Sequence, residues 1–428
     1  MNFRGEMAHF WQGFFWQGLR SGEWLTAARV RGYSLILLAI CMVAAAGWVA
    51  ASNGLNDLNG KPIGTDFSSF YTAGSMALEG HGASAYDMPA HYARQQQIFG
   101  ATTPYYAWLY PPFLFFIAAP LALLPYPAAL VLWQASTMAF YLCVIGAILR
   151  PIRQLRPDLG QLWMLPALAF PAVFINLGHG QNGLLTAALL GSALLALVRQ
   201  PLLSGTLFGL LAYKPQFALV VPVALLVSNQ WRAIAAATAT IVIMLILSVA
   251  AFGPEVWYAF AASTDLSRKL LLQNGDVGFE KLQSMFAVVR MWGGGIPLAY
   301  VAQGAISIAA ICGVAWTWRS SCDFNVKAAM LTIATLLASP HTLDYDLMIL
   351  GPAIAFMACA GFTGGVRSYE ISLLAAAWIV PLLSRIVAGV TGIPLGLLVL
   401  LTLYVFTLQR AVRNHLGPAI KVRTIAQA

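Results

Sequence analysis

The sequence predicts an all-α polytopic membrane protein, and three observations carry that prediction. Hydrophobic residues make up 60% of the 428 positions and charged residues 9%, whereas a soluble domain carries roughly 25% charge. Apolar runs separated by short polar stretches recur from residue 34 to residue 410, as expected when each crossing of the bilayer needs roughly 20 apolar residues. Lys and Arg gather in short clusters between those runs, the distribution of topology signals. A nucleic-acid partner would need a basic stripe interleaved with aromatics, so the net charge of +9 implies none.

Taken in order, residues 9–25 carry Phe10, Trp11, Phe14, Phe15, Trp16, Leu19 and Trp24 among Gln12, Arg20 and Glu23. That mixture predicts an amphipathic helix on the membrane surface. The first spanning run starts after residue 33, too late for a cleavable signal, so it stays as an anchor. Arg29 and Arg31 precede it and orient its start toward the cytoplasm. Residues 111–124 are broken by Pro120 and read as a helix in the outer interface, and residues 127–149 return to Arg150, Arg153 and Arg156.

Residues 163–177 then exit and 183–198 return to Arg199. Residues 202–227 rise and fall around Lys214 and Pro215, ending at Arg232. Residues 234–252 exit, 297–318 return to Arg319 and Lys327, 328–340 exit, 346–362 return, 370–389 exit and 394–410 return. The sum is about twelve crossings with both termini inside. Two large outer loops, 53–126 and 253–296, bear interfacial helices. They belong to one membrane domain, 34–410, between a cytoplasmic amphipathic segment, 1–33, and a basic tail, 411–428. The expected location is the inner membrane of a bacterium, with the unusual polar residues facing outward.

Five polar constellations interrupt the apolar pattern. Asp66, in Gly64–Tyr71, precedes a helical run just beyond the first span; it either caps that helix or serves as a general base. Tyr110, Pro111 and Pro112 end the first outer loop, where Pro suits a first helical turn, and the aromatics fit either interface packing or ligand binding. His179, Gly180, Gln181, Asn182 and Gly183 read as a tight outer turn whose amides can also bind sugar hydroxyls. Lys214 lies inside a long apolar stretch, where a lysine costs several kcal/mol unless it snorkels or meets an anion such as phosphate. Ser339–Asp346 packs His341, Asp344 and Asp346 into one short segment, open to turn capping or to metal binding.

The five cysteines follow no disulfide or zinc spacing. No glycine-rich phosphate loop is present in a strand-to-helix context. No cofactor and no metal is expected on these grounds.

In their order along the chain, an early outer Asp, a Tyr-Pro-Pro motif, a Gly-Gln-Asn turn, an intramembrane Lys-Pro and a Ser-Pro-His segment resemble glycosyltransferase family 87. The resemblance runs from about Asp66 to Asp346. It is to the polyprenol-phosphate-mannose-dependent α-mannosyltransferases and related arabinofuranosyltransferases, which have the C-type fold. It implies transfer of a monosaccharide with inversion, from a polyprenyl-phosphate donor to a glycolipid or envelope glycan. It makes Asp66 the base, turns Lys214 and His341 toward the donor phosphate, and makes Gln181 part of the substrate site. Tyr110, His179, Asn182, Asp344 and Asp346 join it as substrate-binding candidates. One departure is the Leu343, Asp344, Tyr345, Asp346 run, where the family often has an aromatic and a His pair. Two acids would repel a phosphate, so they are expected on hydroxyls, on an acceptor or on a basic neighbour. The rival from another class is a transporter or flippase of lipid-linked sugars, against which stands the lack of a repeat or matched broken helices.

Overall fold

The computed structural model describes residues 16–157 and 162–425. The first part of the 9–25 helix expectation, residues 9–15, therefore lies outside the described residues, as do 426–428. Among the described residues the chain is helical, with isolated β-bridges and no strand.

Among the described residues, seven helices are long and apolar enough to cross a membrane: Ala27–Ala50, Tyr126–Ile148, Trp231–Phe252, Ile296–Arg319, Asp344–Gly364, Glu370–Thr391 and Leu395–His415. The protein is a membrane protein. The other five expected crossings coincide with helices of 10–17 residues, at most about 25 Å long against a hydrocarbon core of about 30 Å. These short helices sit inside the bundle: Gly183–Leu197 and Phe324–Ala338 bury most of their residues. Ala27–Ala50, by contrast, buries only Ser34. The long helix Asp344–Gly364 is mostly buried as well, whereas Ala27–Ala50 and Trp231–Phe252 leave most of their surface uncovered by protein.

Two breaks in the inner helices position the site. Pro201–Leu210 tightens into a 3-10 turn, Leu211–Tyr213, and stops at Lys214 (φ −125°, ψ 72°). The residue before a proline is forced out of the helical region, and Pro215 then occupies the first turn of the next helix. Likewise Pro171–His179 ends at Gly180 in the left-handed region (φ 63°), where a Cβ would lie 2.5 Å from that of Phe67. Glycine there permits both the turn and the close approach of Thr65–Leu78.

The two expected loops are folded lobes. The first contains Thr65–Leu78, Met88–Phe99 and Phe115–Ala122, joined by an aromatic cluster in which Phe70 packs edge-on against Trp108, Tyr110 and Trp133. The second contains Glu255–Arg268, Phe279–Lys281 and Met285–Met291. Its far end is stitched to the Ser339–Asp346 segment by a Leu282–Leu343 bridge and by a 2.7 Å hydrogen bond from Gln283 N–H to the Thr342 carbonyl.

The last helix continues through the expected tail to Ile425. Arg410 is not a surface topology charge: it is 1% exposed and donates to both Glu370 oxygens at 2.6 Å and to the Ala360 and Gly365 carbonyls. A planar guanidinium can satisfy that many acceptors at once, which is what makes its burial tolerable. The N-terminal segment docks nearby, with Trp24 Nε1 donating to Ser372 Oγ at 2.8 Å.

Candidate functional site

Eight of the nine side chains singled out in the sequence line one cavity of ≈ 740 Å³: Asp66, Tyr110, His179, Gln181, Lys214, His341, Asp344 and Asp346. The ninth, Asn182, is fully buried and does not line it. That volume falls in the range of small-molecule sites.

Asp66 does not cap its helix. The N-cap of Thr65–Leu78 is Gly64, held in the left-handed region (φ 72°), and Asp66 sits in the first turn. Its carboxylate turns instead to the cavity, where Oδ2 accepts from Gln181 Nε2 at 2.9 Å and lies 4.0 Å from His179 Nδ1. The side chain remains 26% exposed, enough for a ligand to reach it. The turn before it is anchored by Tyr126, whose hydroxyl donates to the Ile63 carbonyl at 2.5 Å.

Gln181 is the hub. Its Oε1 accepts from the Tyr110 hydroxyl at 3.1 Å and from the Asn182 N–H at 2.9 Å, which leaves Nε2 to orient Asp66. Its own turn is held by Trp133 Nε1 on the Gly180 carbonyl at 3.0 Å and by Asn176, which accepts from Gly183 N–H and donates to the Tyr345 carbonyl. Gln181 thus holds the carboxylate, and Tyr110 holds Gln181. Burial, with the Asp66 charge adding to it, pushes the Tyr110 hydroxyl up and keeps it a donor.

Replacing Gln181 by Leu frees the carboxylate to rotate, and the rate of the reaction is expected to fall by about ten- to a hundredfold with the substrate KM little changed. Gln181→Glu places a second carboxylate beside Asp66, so the acid limb of the pH–rate profile moves upward. An unshifted limb in the Glu variant means that Gln181 does not govern Asp66.

Lys214 meets Asp346. Nζ lies 2.7 Å from Oδ1, with both side chains 3% exposed or less. The ammonium also lies over the rings of Phe217 and Tyr345, 5.3 and 5.2 Å from their centroids. Asp346 Oδ2 accepts from Leu343 N–H at 3.0 Å, closing the turn that starts Asp344–Ile349. The basic neighbour expected for the acids is therefore Lys214 itself, which leaves the pair with no net charge. Burial pulls the His341 imidazole down to about 4, so it is neutral at pH 7 and offers a hydrogen bond rather than a cation. Asp344 is 3% exposed, accepts from Tyr345 N–H and has His179, Arg385 and Lys281 as charged or basic neighbours.

Sequence reasoning missed Tyr106 and Lys281, which share the cavity wall. Tyr106 is fixed by the buried Gln95, which pairs with both its backbone N–H and its carbonyl. Burial, reinforced by Asp66 and Asp57, pushes its hydroxyl up to about 12. Neither residue stands in an apolar run, so no cost of burial drew attention to them. No group of three or more His, Cys, Asp or Glu side chains able to hold a metal occurs among the described residues.

Among the described residues the chain is helical, and its inner helices break around a cavity into which a partly exposed carboxylate turns, the place of a small-molecule site within a membrane protein. Residues 108–340 match the family model of glycosyltransferase family 87, and the chain belongs to that family. It is a glycosyltransferase, acting on a sugar donor and an acceptor in a lipid bilayer. The match takes in Tyr110, His179, Gln181, Asn182 and Lys214 but starts after Asp66 and stops before His341, a narrower stretch than the expected Asp66 to Asp346. No curated protein and no solved structure matches the chain.

Proposed function

We propose that the protein transfers a monosaccharide, a hexose such as mannose or an arabinofuranose, from a polyprenyl-phosphate donor to a glycolipid or envelope glycan. The anomeric carbon inverts. The observation that carries this reading is the Asp66 carboxylate, exposed to the cavity and oriented by Gln181 at 2.9 Å. In the proposed reaction Asp66 takes the proton of an acceptor hydroxyl, whose oxygen attacks the anomeric carbon. The bond from that carbon to the phosphate oxygen breaks, and polyprenyl phosphate leaves with the electron pair.

A donor dissolved in the membrane by its own tail needs no nucleotide-binding domain. That agrees with a chain whose described residues are helical and which carries no glycine-rich phosphate loop in a strand context. In this reading His179, Asp344 and Tyr110 frame the sugars, Asn182 supports them from behind the cavity wall, and Lys214 and His341 give the donor hydrogen bonds. Both lobes lie on the outer side of a bacterial inner membrane, in one domain spanning 34–410 with cytoplasmic ends at 1–33 and 411–428.

The test is product analysis in proteoliposomes. Labelled polyprenyl phosphosugar and an acceptor glycolipid yield a new glycosidic linkage, and a nucleotide sugar in place of the lipid yields none. Transfer from the nucleotide sugar alone would sink the donor assignment. Label that crosses the membrane with no new linkage would instead favour the flippase.

A further inference from the structure

The proposed donor, a phosphodiester, carries one negative charge, and the leaving polyprenyl phosphate carries up to two. The transition state therefore gains from a fixed cation near the departing oxygen. Lys214 cannot supply net charge, because Asp346 matches it at 2.7 Å, and His341 is neutral. Arg268 also lines the cavity, but it shares the Asp265 carboxylate with Lys269 on an exposed surface, with side chains about half exposed.

Lys281 remains. It lines the same cavity, is half-buried, and has no carboxylate within ion-pair distance among the described residues. Its backbone is fixed. Leu282, next to it, bridges Leu343 and is buried with Leu272, Phe286 and Leu343. Gln283 N–H donates to the Thr342 carbonyl at 2.7 Å, and Gln283 Nε2 donates back to the Lys281 carbonyl at 3.2 Å. Asp344, whose charge interacts with that of Lys281 across the cavity wall, also has His179 and Arg385 as basic neighbours.

We propose that Lys281, carried by the second lobe and stitched to the His341 segment, is the cation that binds the donor phosphate and holds the charge left on the departing polyprenyl phosphate. It donates hydrogen bonds to the phosphate oxygens and transfers no proton; the acceptor's proton goes to Asp66. The proposal rests on the lipid-phosphate reading above.

The experiment measures binding of farnesyl phosphate and of farnesol to the full-length protein in nanodiscs. The wild type is expected to prefer the phosphate by roughly ten- to a hundredfold, the span of a charge-assisted hydrogen bond. Lys281→Gln should abolish that preference, Lys281→Arg should keep most of it, and Asp66→Asn should leave it at least as strong. A Lys281→Gln protein that still prefers the phosphate overturns the assignment and leaves the donor reading standing. A wild type with no preference overturns both.

Discussion

Asp66→Asn is expected to cut glycosyl transfer by about a hundred- to ten-thousandfold, the usual worth of a general base, with little change in the melting temperature. Two features make the separation sharp. Asn has nearly the shape of Asp and can still accept from Gln181 Nε2, so the Tyr110–Gln181 chain stays in place. The helix start does not depend on the carboxylate either, because Gly64 is the N-cap and Asp66 makes no capping bond. What the substitution removes is proton affinity. The measurement is single-turnover transfer from labelled polyprenyl phosphosugar, beside a thermal unfolding curve. Turnover within a factor of a few of wild type would exclude Asp66 as the base, and a collapse in stability would return it to a structural role.

Lys214→Met is expected to destabilise the protein by roughly 3–5 kcal/mol, because it leaves the Asp346 carboxylate buried without its partner. Asp346→Leu should do the same from the other side and adds the loss of the Leu343 N–H bond. The double variant, Lys214→Met with Asp346→Leu, removes both charges and should recover most of the lost stability. It falls short by about one neutral hydrogen bond, roughly 1 kcal/mol. Thermal unfolding in detergent, compared across the two single variants and the double, reads the coupling directly. Additive losses would mean that the pair does not stabilise the inner helices.

Much of this architecture is legible along the chain. Apolar composition and arginine spacing mark every long helix, because a membrane core tolerates neither charge nor an unpaired backbone. The polar interruptions mark the cavity for the same reason: eight of the nine residues they point to line it. The breaks at Gly180 and Lys214 are equally local, one set by a left-handed glycine and the other by the proline that follows.

Partnership is another matter. Asp66 and Gln181 are 115 positions apart, and Lys214 and Asp346 are 132. Nothing in either neighbourhood says which acid takes which donor. The chain by itself determined a helical membrane protein with a ring of polar breaks around a carboxylate, since those features answer to the solvent each residue meets. Tertiary packing alone decided that Asp66 takes Gln181 as its partner, that Asp346 neutralises Lys214, and that Lys281 enters the cavity. Those outcomes depend on distances between remote segments, and hydrogen bonds and ion pairs fall off over a few ångströms.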